Sequence, residues 1–246
     1  MKPHRSQYWL NNEPEPRADE KITDITTLYG EAKTLAEAGE RVLSTDEMTG
    51  IQAKERKHPT LPMGPGRVER REFEYMRHGT QTLIANWDVA AGGIVAPTVG
   101  QTRTEQDFAA HIAQTVASDP EAVGWHFVVD NLDTHKSESL VRFVAEVCGI
   151  EEDLGKKGKR GILKSTASRE QFLANAAHAI VFHYTPKHAS WMNQIELWFS
   201  ILARKVLRRG SFTSTDDLKE RLVRFIEYFN ETMAKPFKWT YKPLTA

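Results

Sequence analysis

The chain has 246 residues, of which 40% are apolar and 27% carry a charge, as in a globular protein with enough length for one large core. Its 33 Lys and Arg residues balance 33 Asp and Glu residues, which excludes an overall field that would attract nucleic acid and leaves only local patches. The single cysteine excludes an internal disulfide, and the sequence contains neither a signal peptide nor an apolar run long enough to span a membrane. We therefore expect an intracellular protein.

The first part of the chain is expected to form a charged, extended arm and then an amphipathic helix. Apolar residues recur three and four positions apart between Ile22 and Ala38, which is typical of a helix. From Arg41 the run RVLST predicts a strand that ends at Asp46. Repeated proline in residues 58–71 removes backbone donors and blocks a helix, so we expect a surface loop there.

The middle of the chain predicts a hairpin, a helix and a buried strand. The alternating run TQTLIANWDV and the run IVAPTV are separated by Gly92 and Gly93, as in a β-hairpin. Helical spacing, with two acids in the first turn, predicts a helix over 104–117. The apolar run WHFVVDN predicts a central strand covered on both faces and ending at Asp130, and a helix follows over 140–147.

The last third begins with a glycine-rich, basic stretch, residues 149–169, which predicts an exposed insertion. IVFHYTP predicts a strand, and a last helix is expected after a Ser214 cap. The order of the strands and helices indicates an α/β protein. SWMNQIELWFSILARKVL predicts one long helix between that strand and the last helix, with an apolar stripe formed by Trp191, Ile195, Trp198, Phe199, Leu202 and Val206.

Three acids stand where chemistry would use them. Asp46 and Asp130 end two predicted strands; if these are parallel neighbours, both carboxylates lie at the sheet edge where open α/β sheets bind ligands. Glu196 lies on the shoulder of the helical stripe, where a metal ion would hold it ionised. A lone Asp at a strand end is more often a turn former, and Glu196 alone could be an ordinary solvated residue. Only their combined arrangement favours a metal site.

Five motifs carry a resemblance to a known family. They are STDEMTGIQAKERKHP, RHGTQTLIANWDV, FVVDNLDTHKS, TPKHASWMNQIELWFSIL and NETMAKPFKWTY. Over about residues 41–241 the chain resembles transposases of the insertion-sequence-630 family, relatives of the mariner-like elements. The resemblance implies an RNase H-like fold, with a mixed central sheet flanked by helices as in retroviral integrases. It also implies a catalytic, metal-binding triad of Asp46, Asp130 and Glu196.

The resemblance implies a function as well. Two Mg²⁺ or Mn²⁺ ions would serve hydrolysis of DNA at transposon ends, and the freed 3′-OH would attack target DNA. The expected partner is DNA, on which the chain would assemble as a homodimer, at the bacterial nucleoid and without membrane association. Two alternatives stay open: a truncated, catalytically silent remnant that binds DNA or dimerises, and an RNase H-fold nuclease acting on RNA–DNA hybrids or repair junctions.

Five further residues are expected to support the acids or contact DNA. Asn131 and His135 belong to the motif of the second Asp, and Asn193 precedes Glu196. Arg204 and Arg208 continue the predicted Glu196 helix and would suit a DNA backbone, although the helix dipole also favours cations in a last turn.

Two departures from the family shape the expected domain organisation. The 65 residues between Asp130 and Glu196 exceed the usual spacing, so we expect a surface insertion at about 149–179. Transposases of this family carry helix-turn-helix modules before the catalytic domain, and here MKPHRSQYWLN looks like the tail of the last recognition helix. Residues 1–40 are therefore expected to be the remnant of a DNA-binding region, and 41–246 the catalytic domain.

Overall fold

A computed structural model describes residues 15–241, and its centre is a five-stranded mixed sheet. The strand order is β3-β2-β1-β4-β5. β1 pairs antiparallel with β2, and β2 with β3, whereas β1–β4 and β4–β5 are parallel. This topology confirms the predicted mixed α/β sheet. The strands are β1 (Glu40–Arg56), β2 (Tyr75–Asp88), β3 (Ile94–Gly100), β4 (Gly124–Val129) and β5 (Ile180–Tyr184).

Helices cover both faces of the sheet, and each face has its own apolar core. Residues of α1, α5 and α6 form the first core, and residues of α2, α3 and α4 form the second. Within residues 15–241, no helix is both long and apolar enough to cross a membrane. The helices are α1 (Ala18–Glu37), α2 (Glu105–Ala117), α3 (Glu138–Val147), α4 (Thr166–Leu173), α5 (Ile195–Leu202) and α6 (Thr215–Thr232).

Helix α2 shows how local sequence sets an element. The Thr104 side chain accepts from the Asp107 backbone N–H, and the Asp107 side chain accepts from the Thr104 N–H, so two donors of the first turn are satisfied. Phe108 and Ile112, four residues apart, are fully buried. The predicted helix over 104–117 is confirmed.

The alternation in β2 is confirmed too. Leu83, Ala85 and Trp87 face the first core, and Ile84 faces the second, as the two-residue period of a strand requires. The strand is buried on both faces from Gln81 to Trp87.

A C-terminal strap, residues 233–241, closes the first core by crossing the turn between β2 and β3. The Lys235 backbone N–H donates to the Gly92 carbonyl at 3.0 Å. A Cβ on Gly92, whose φ is +75°, would lie 2.0 Å from the Lys235 carbonyl carbon, so only glycine fits there. Phe237 of the strap stacks on Trp87 with ring centroids 4.2 Å apart.

The first strand does not end at Asp46 as the sequence predicts. β1 continues to Arg56 and pairs with β2, with register shifts between Met48 and Ile51 and again before Lys54. Its parallel pairing with β4 stops at Ser44. The residues after Asp46 remain a strand because β2 supplies a ladder partner, a long-range contact that the local pattern does not contain.

The prediction of a single long helix around Glu196 is also wrong at both ends of that helix. Ser190–Met192 form a 3₁₀ turn, α5 begins at Ile195, and Ala203–Leu207 form a π-helical turn. Because the helix starts later, Trp191 is 51% exposed instead of lying in the core. The π turn follows Glu196 closely, and such turns often occur at functional sites.

The stretch 149–179 is not a surface segment throughout. Residues 151–161 are mostly exposed, but Leu163, Phe172 and Leu173 are buried in the second core. The apolar side chains of its second half are therefore covered by α3 and the sheet. The expectation that this stretch is an insertion relative to other family members stays a prediction, and the arm predicted before α1 has its residues 1–14 outside the described part of the chain.

Candidate active site

The sheet topology brings two of the predicted acids together. The last parallel pair of β1 and β4 is Ser44 opposite Val128. Asp46 lies two residues further along β1, and Asp130 follows the last residue of β4. Both residues therefore lie just beyond the point where the parallel pairing of β1 with β4 stops, and the carboxyl ends of parallel strands are where α/β sheets usually bind ligands.

Asp46 is almost completely buried, with 8% of its surface exposed. One carboxylate oxygen, Oδ1, accepts from the Glu47 N–H at 2.7 Å, and Oδ2 accepts from Asn193 Nδ2 at 3.2 Å. Burial, reinforced by the negative charge of Asp130, raises the pKa of Asp46 to about 7. Two anions so close in a poorly hydrated place are costly, and a divalent cation would offset that cost.

A buried histidine holds Asp130. His135, with no exposed surface, contacts Asp130 Oδ1 through Nδ1 at 2.9 Å and Glu47 Oε2 through Nε2 at 3.0 Å. Burial alone would lower the pKa of His135, but the hydrogen bonds to Asp130 and Glu47 and their charges raise it to about 10. Although burial raises the pKa of Asp130, the hydrogen bond and charge of His135 outweigh it and lower this pKa. Asp130 is therefore held ionised.

Asn193 ties helix α5 to the strand that carries Asp46. Its Nδ2 donates to the Thr45 carbonyl at 3.0 Å as well as to Asp46, and its Oδ1 accepts from the Ser44 hydroxyl. The Ser44 Oγ in turn accepts from the Ile195 N–H at 2.9 Å. These bonds fix the first turn of α5 beside Asp46, and Glu196 is the next residue of that turn.

Glu196 lies at the rim of this edge and does not turn inward as the sequence predicts. The residue is exposed, but partial burial of its carboxyl group, followed by the charge of Asp130, raises the pKa of Glu196. Among residues 15–241, no three His, Cys, Asp or Glu side chains are arranged to hold a metal ion.

The other predicted residues divide into internal and exposed ones. Asn131 Nδ2 donates to the Thr185 carbonyl, and its Oδ1 accepts from Lys136 Nζ at 2.8 Å, so Asn131 links the ends of β4 and β5. Arg204 and Arg208 are exposed. Arg208 lines a cleft of ≈ 390 Å³ together with Lys54 and Arg56 of β1.

Sequence reasoning missed Glu47 and Ser44. Glu47 follows Asp46 and so faces the opposite side of the sheet, where it meets His135, 88 residues away. Its separation from His135 leaves no local signal for the pair. A small polar residue, Ser44, within the apolar run RVLST is a signal that could have drawn attention to the strand's contact with α5.

Comparison with known proteins supplies the family. A model described as DDE superfamily endonuclease matches residues 41–219. The chain belongs to this family. No curated protein matches the sequence of this DDE endonuclease domain.

Solved structures supply the fold. The catalytic domain of Mos1 mariner transposase aligns with 89% of this chain and 85% of its own at 11% identity, with a TM-score of 0.51. The same catalytic domain with Raltegravir and Mg gives 12% identity, 88% and 85% coverage and a TM-score of 0.48. The Mos1 strand transfer complex aligns with 95% of this chain and 67% of its own at 13% identity, with a TM-score of 0.46. At such low identity the first of these matches shows the fold alone, and the DDE endonuclease domain is RNase H-like.

Proposed function

We propose that this DDE endonuclease domain is the catalytic domain of a transposase of the insertion-sequence-630 family. It would cleave DNA at transposon ends and join the freed 3′-OH to target DNA. One observation carries this proposal: Asp46 and Asp130 both lie just beyond the last parallel pair of the neighbouring strands β1 and β4. The first turn of α5, with Glu196, is tied to the same strand through Asn193 and Ser44.

Asp46, Asp130 and Glu196 would hold two Mg²⁺ or Mn²⁺ ions. Carboxylate oxygens are the ligands that these hard cations prefer. Burial, followed by the negative charge of Asp130, raises the pKa of Asp46 to about 7, and a bound cation would favour the ionised form of both carboxyl groups. When bound, two such ions stabilise charge on the attacking and leaving oxygens of a phosphodiester. Glu196 would join the aspartates by turning its exposed side chain from the rim.

The surrounding residues orient the two aspartates. His135, which Glu47 holds from the other side, keeps Asp130 ionised and in one position, and the hydrogen bond from Asn193 Nδ2 positions Oδ2 of Asp46. Each Asp46 oxygen accepts one protein hydrogen bond, so each keeps a lone pair for another ligand.

DNA would run along the cations next to this edge. Lys54 and Arg56 extend β1 beyond Asp46, and Arg204 and Arg208 follow Glu196 in and after the π turn. Cations in this position, of which Arg204 and Arg208 are exposed, suit the phosphates of transposon ends and target DNA. In the cell the domain would act as a DNA-assembled homodimer at the bacterial nucleoid, with sequence-specific recognition of the ends supplied by helix-turn-helix modules.

The central test is Asp130→Asn. We expect the variant to lose nicking of duplex DNA in Mg²⁺ or Mn²⁺ by at least about 10³-fold, the equivalent of several kcal/mol of transition-state stabilisation. Asp153→Asn, an acid-to-amide change in the exposed part of 149–161, is the matched control and should cut normally. Thermal melts would show that both variants fold. Undiminished nicking by Asp130→Asn would refute the proposal.

The choice of substrate separates the alternative functions. A transposase cuts duplex DNA that carries transposon ends, whereas a nuclease of RNA–DNA hybrids prefers hybrids, and a silent remnant cuts neither. Cleavage of an RNA–DNA hybrid, plain duplex DNA and duplex DNA with transposon ends by the same preparation should favour the two DNA duplexes over the hybrid.

The DNA path predicts a second result. Changing Arg204 and Arg208 together to Ala should weaken duplex binding and lower the slope of log K against log salt by about 0.9 for each lost phosphate contact. Arg142→Ala removes a cation on α3, where it pairs with Glu138, and should leave the slope unchanged. Titrations at several salt concentrations would measure both, and equal slopes for all three proteins would exclude this path.

A further inference from the structure

Two histidines face each other away from the acids. His126 of β4 and His183 of β5 bring Nδ1 and Nε2 to 3.1 Å from one another. The other ring nitrogens each contact a carboxylate: His126 Nε2 lies 2.8 Å from Glu40 Oε2, and His183 Nδ1 lies 2.7 Å from Asp24 Oδ2. Glu40 begins β1 and Asp24 belongs to α1. The result is a continuous row of carboxylate, imidazole, imidazole and carboxylate.

The inner nitrogens of the row are placed to share one small cation. Each histidine keeps its outer nitrogen on a carboxylate, so His126 Nδ1 and His183 Nε2 remain for another partner, and they lie 3.1 Å apart. A proton shared between the two nitrogens, or a metal ion bound by both, would fit between the rings.

The geometry suits a metal. Two imidazole nitrogens bound to one tetrahedral Zn²⁺ at 2.0–2.1 Å stand about 3.3 Å apart, close to the 3.1 Å between His126 and His183. Metal-binding histidines usually place their second nitrogen on a carboxylate, which fixes the ring and the tautomer. Glu40 and Asp24 occupy those positions for the two rings.

Glu40 packs closely against Gly124, its partner on β4. A Cβ on Gly124 would lie 3.2 Å from Glu40 Cγ and 3.3 Å from Oε2, so the absence of a side chain at 124 makes room for this carboxylate. The side chains of His126 and His183 are 19% and 12% exposed. They are shielded but remain within reach of a small ion.

We propose that His126 Nδ1 and His183 Nε2 bind a borderline divalent cation such as Zn²⁺, with water completing its coordination. Imidazole selects Zn²⁺ over Mg²⁺. His126 precedes Asp130 by four residues, about 13 Å along a strand, so the two sites are separate. The described residues offer no third protein ligand, so the site binds more weakly than a four-ligand structural zinc site. Because Asp24 lies on α1, the bound cation would hold this helix against the sheet.

Zn²⁺ titration of the whole chain in excess Mg²⁺ tests the proposal. We expect one ion per chain by calorimetry and a Tm higher by about 5 °C when free Zn²⁺ is a hundred times Kd. His126→Asn and His183→Asn should each weaken binding at least about tenfold. His78→Asn is the matched control, because His78 also contacts a carboxylate, Glu55 at 2.7 Å, and should bind Zn²⁺ normally.

Two further measurements keep the outcome clear. Asp130→Asn should still bind Zn²⁺, so failure of this site and failure of the proposed nuclease are distinguishable. In the unaltered protein, Zn²⁺ should shift the ¹⁵N resonances of His126 Nδ1 and His183 Nε2 while the outer nitrogens stay protonated, which needs no variant to fold. Unchanged resonances, or equal Zn²⁺ affinity in His126→Asn, would mean that the pair is held by a shared proton and that the metal proposal is wrong.

Discussion

Two histidines on the same side of the sheet differ in charge, although neither has exposed surface. His135 packs on Phe108 of α2 with ring centroids 4.2 Å apart, and His111 is one turn further along the same helix. The pKa of His135 is raised to about 10, whereas burial lowers the pKa of His111 to about 3. At neutral pH one is a cation and the other is neutral.

The partners of the rings explain the difference. His135 contacts the carboxylates of Glu47 and Asp130. The ring of His111 instead contacts the hydroxyl of Thr98 through Nδ1 at 2.9 Å, and within residues 15–241 no hydrogen-bond partner lies at its Nε2. Burial alone therefore does not decide the charge of an imidazole. His135 is a buried cation because the carboxylates of Glu47 and Asp130 stabilise its charge.

The largest expected effect comes from removing the cation. His135→Ala should lower the free energy of unfolding by about 3–5 kcal/mol, because Glu47 and Asp130 lose their shared counter-charge in a buried place. Denaturant unfolding measures the loss. A double-mutant cycle of His135→Gln and Glu47→Gln sharpens the comparison. The double variant should lose less free energy of unfolding than the sum of the losses in the two single variants. Simple additivity would mean that the pair is not coupled.

A smaller, pH-dependent effect is expected for the neutral ring. The pKa of His111 is about 3 in the folded chain, against 6.5 as its ordinary value, so on acidification the unfolded chain binds the proton first. The stability that neutral His111 contributes is complete above pH 6.5 and is lost as pH falls towards 3, by up to about 1.4 kcal/mol per pH unit. His111→Leu should remove this slope, and Thr98→Val should keep it. Unfolding curves at several pH values would decide, and an unchanged slope in His111→Leu would contradict the assignment.

The smallest effect is expected for a histidine that contacts a carboxylate at the surface, where water also solvates both groups. His78 contacts Glu55 at 2.7 Å, but both side chains are about 30% exposed. His78→Ala should change the free energy of unfolding by less than about 1 kcal/mol, as for other solvent-accessible ion pairs. A loss as large as that of His135→Ala would show that the carboxylate contact, and not its burial, sets the energy.

Local signals in the sequence were sufficient for several elements. The capped helix that begins after Thr104 and the apolar run that ends at Asp130 depend on neighbours a few residues away, and both are confirmed. The sheet edge shared by Asp46 and Asp130 followed from assuming that their strands are parallel neighbours, and they are.

Other features depend on contacts that the sequence does not reveal. Asp46 lies within β1, and not at its end, because β2 pairs with β1 beyond this residue. Trp191 is exposed because the side chain of Asn193 bonds to β1 and α5 begins only after Asn193. The partners Glu47 and His135 are 88 residues apart, and His126 and His183 are 57 apart. No periodicity or motif links side chains over such distances, so these pairs needed the structure.

The C-terminal strap has a consequence for how the chain matures on the ribosome. The buried members of the second core all lie between Leu43 and Tyr184, whereas the first core needs α5, α6 and the strap residues Phe237 and Trp239. At 5–20 residues per second, translation from Tyr184 to Trp239 takes roughly 3–11 s. One side of the sheet can thus be complete while the other still exposes apolar side chains such as Trp87. We expect that interval to be when the nascent chain most needs protection by chaperones.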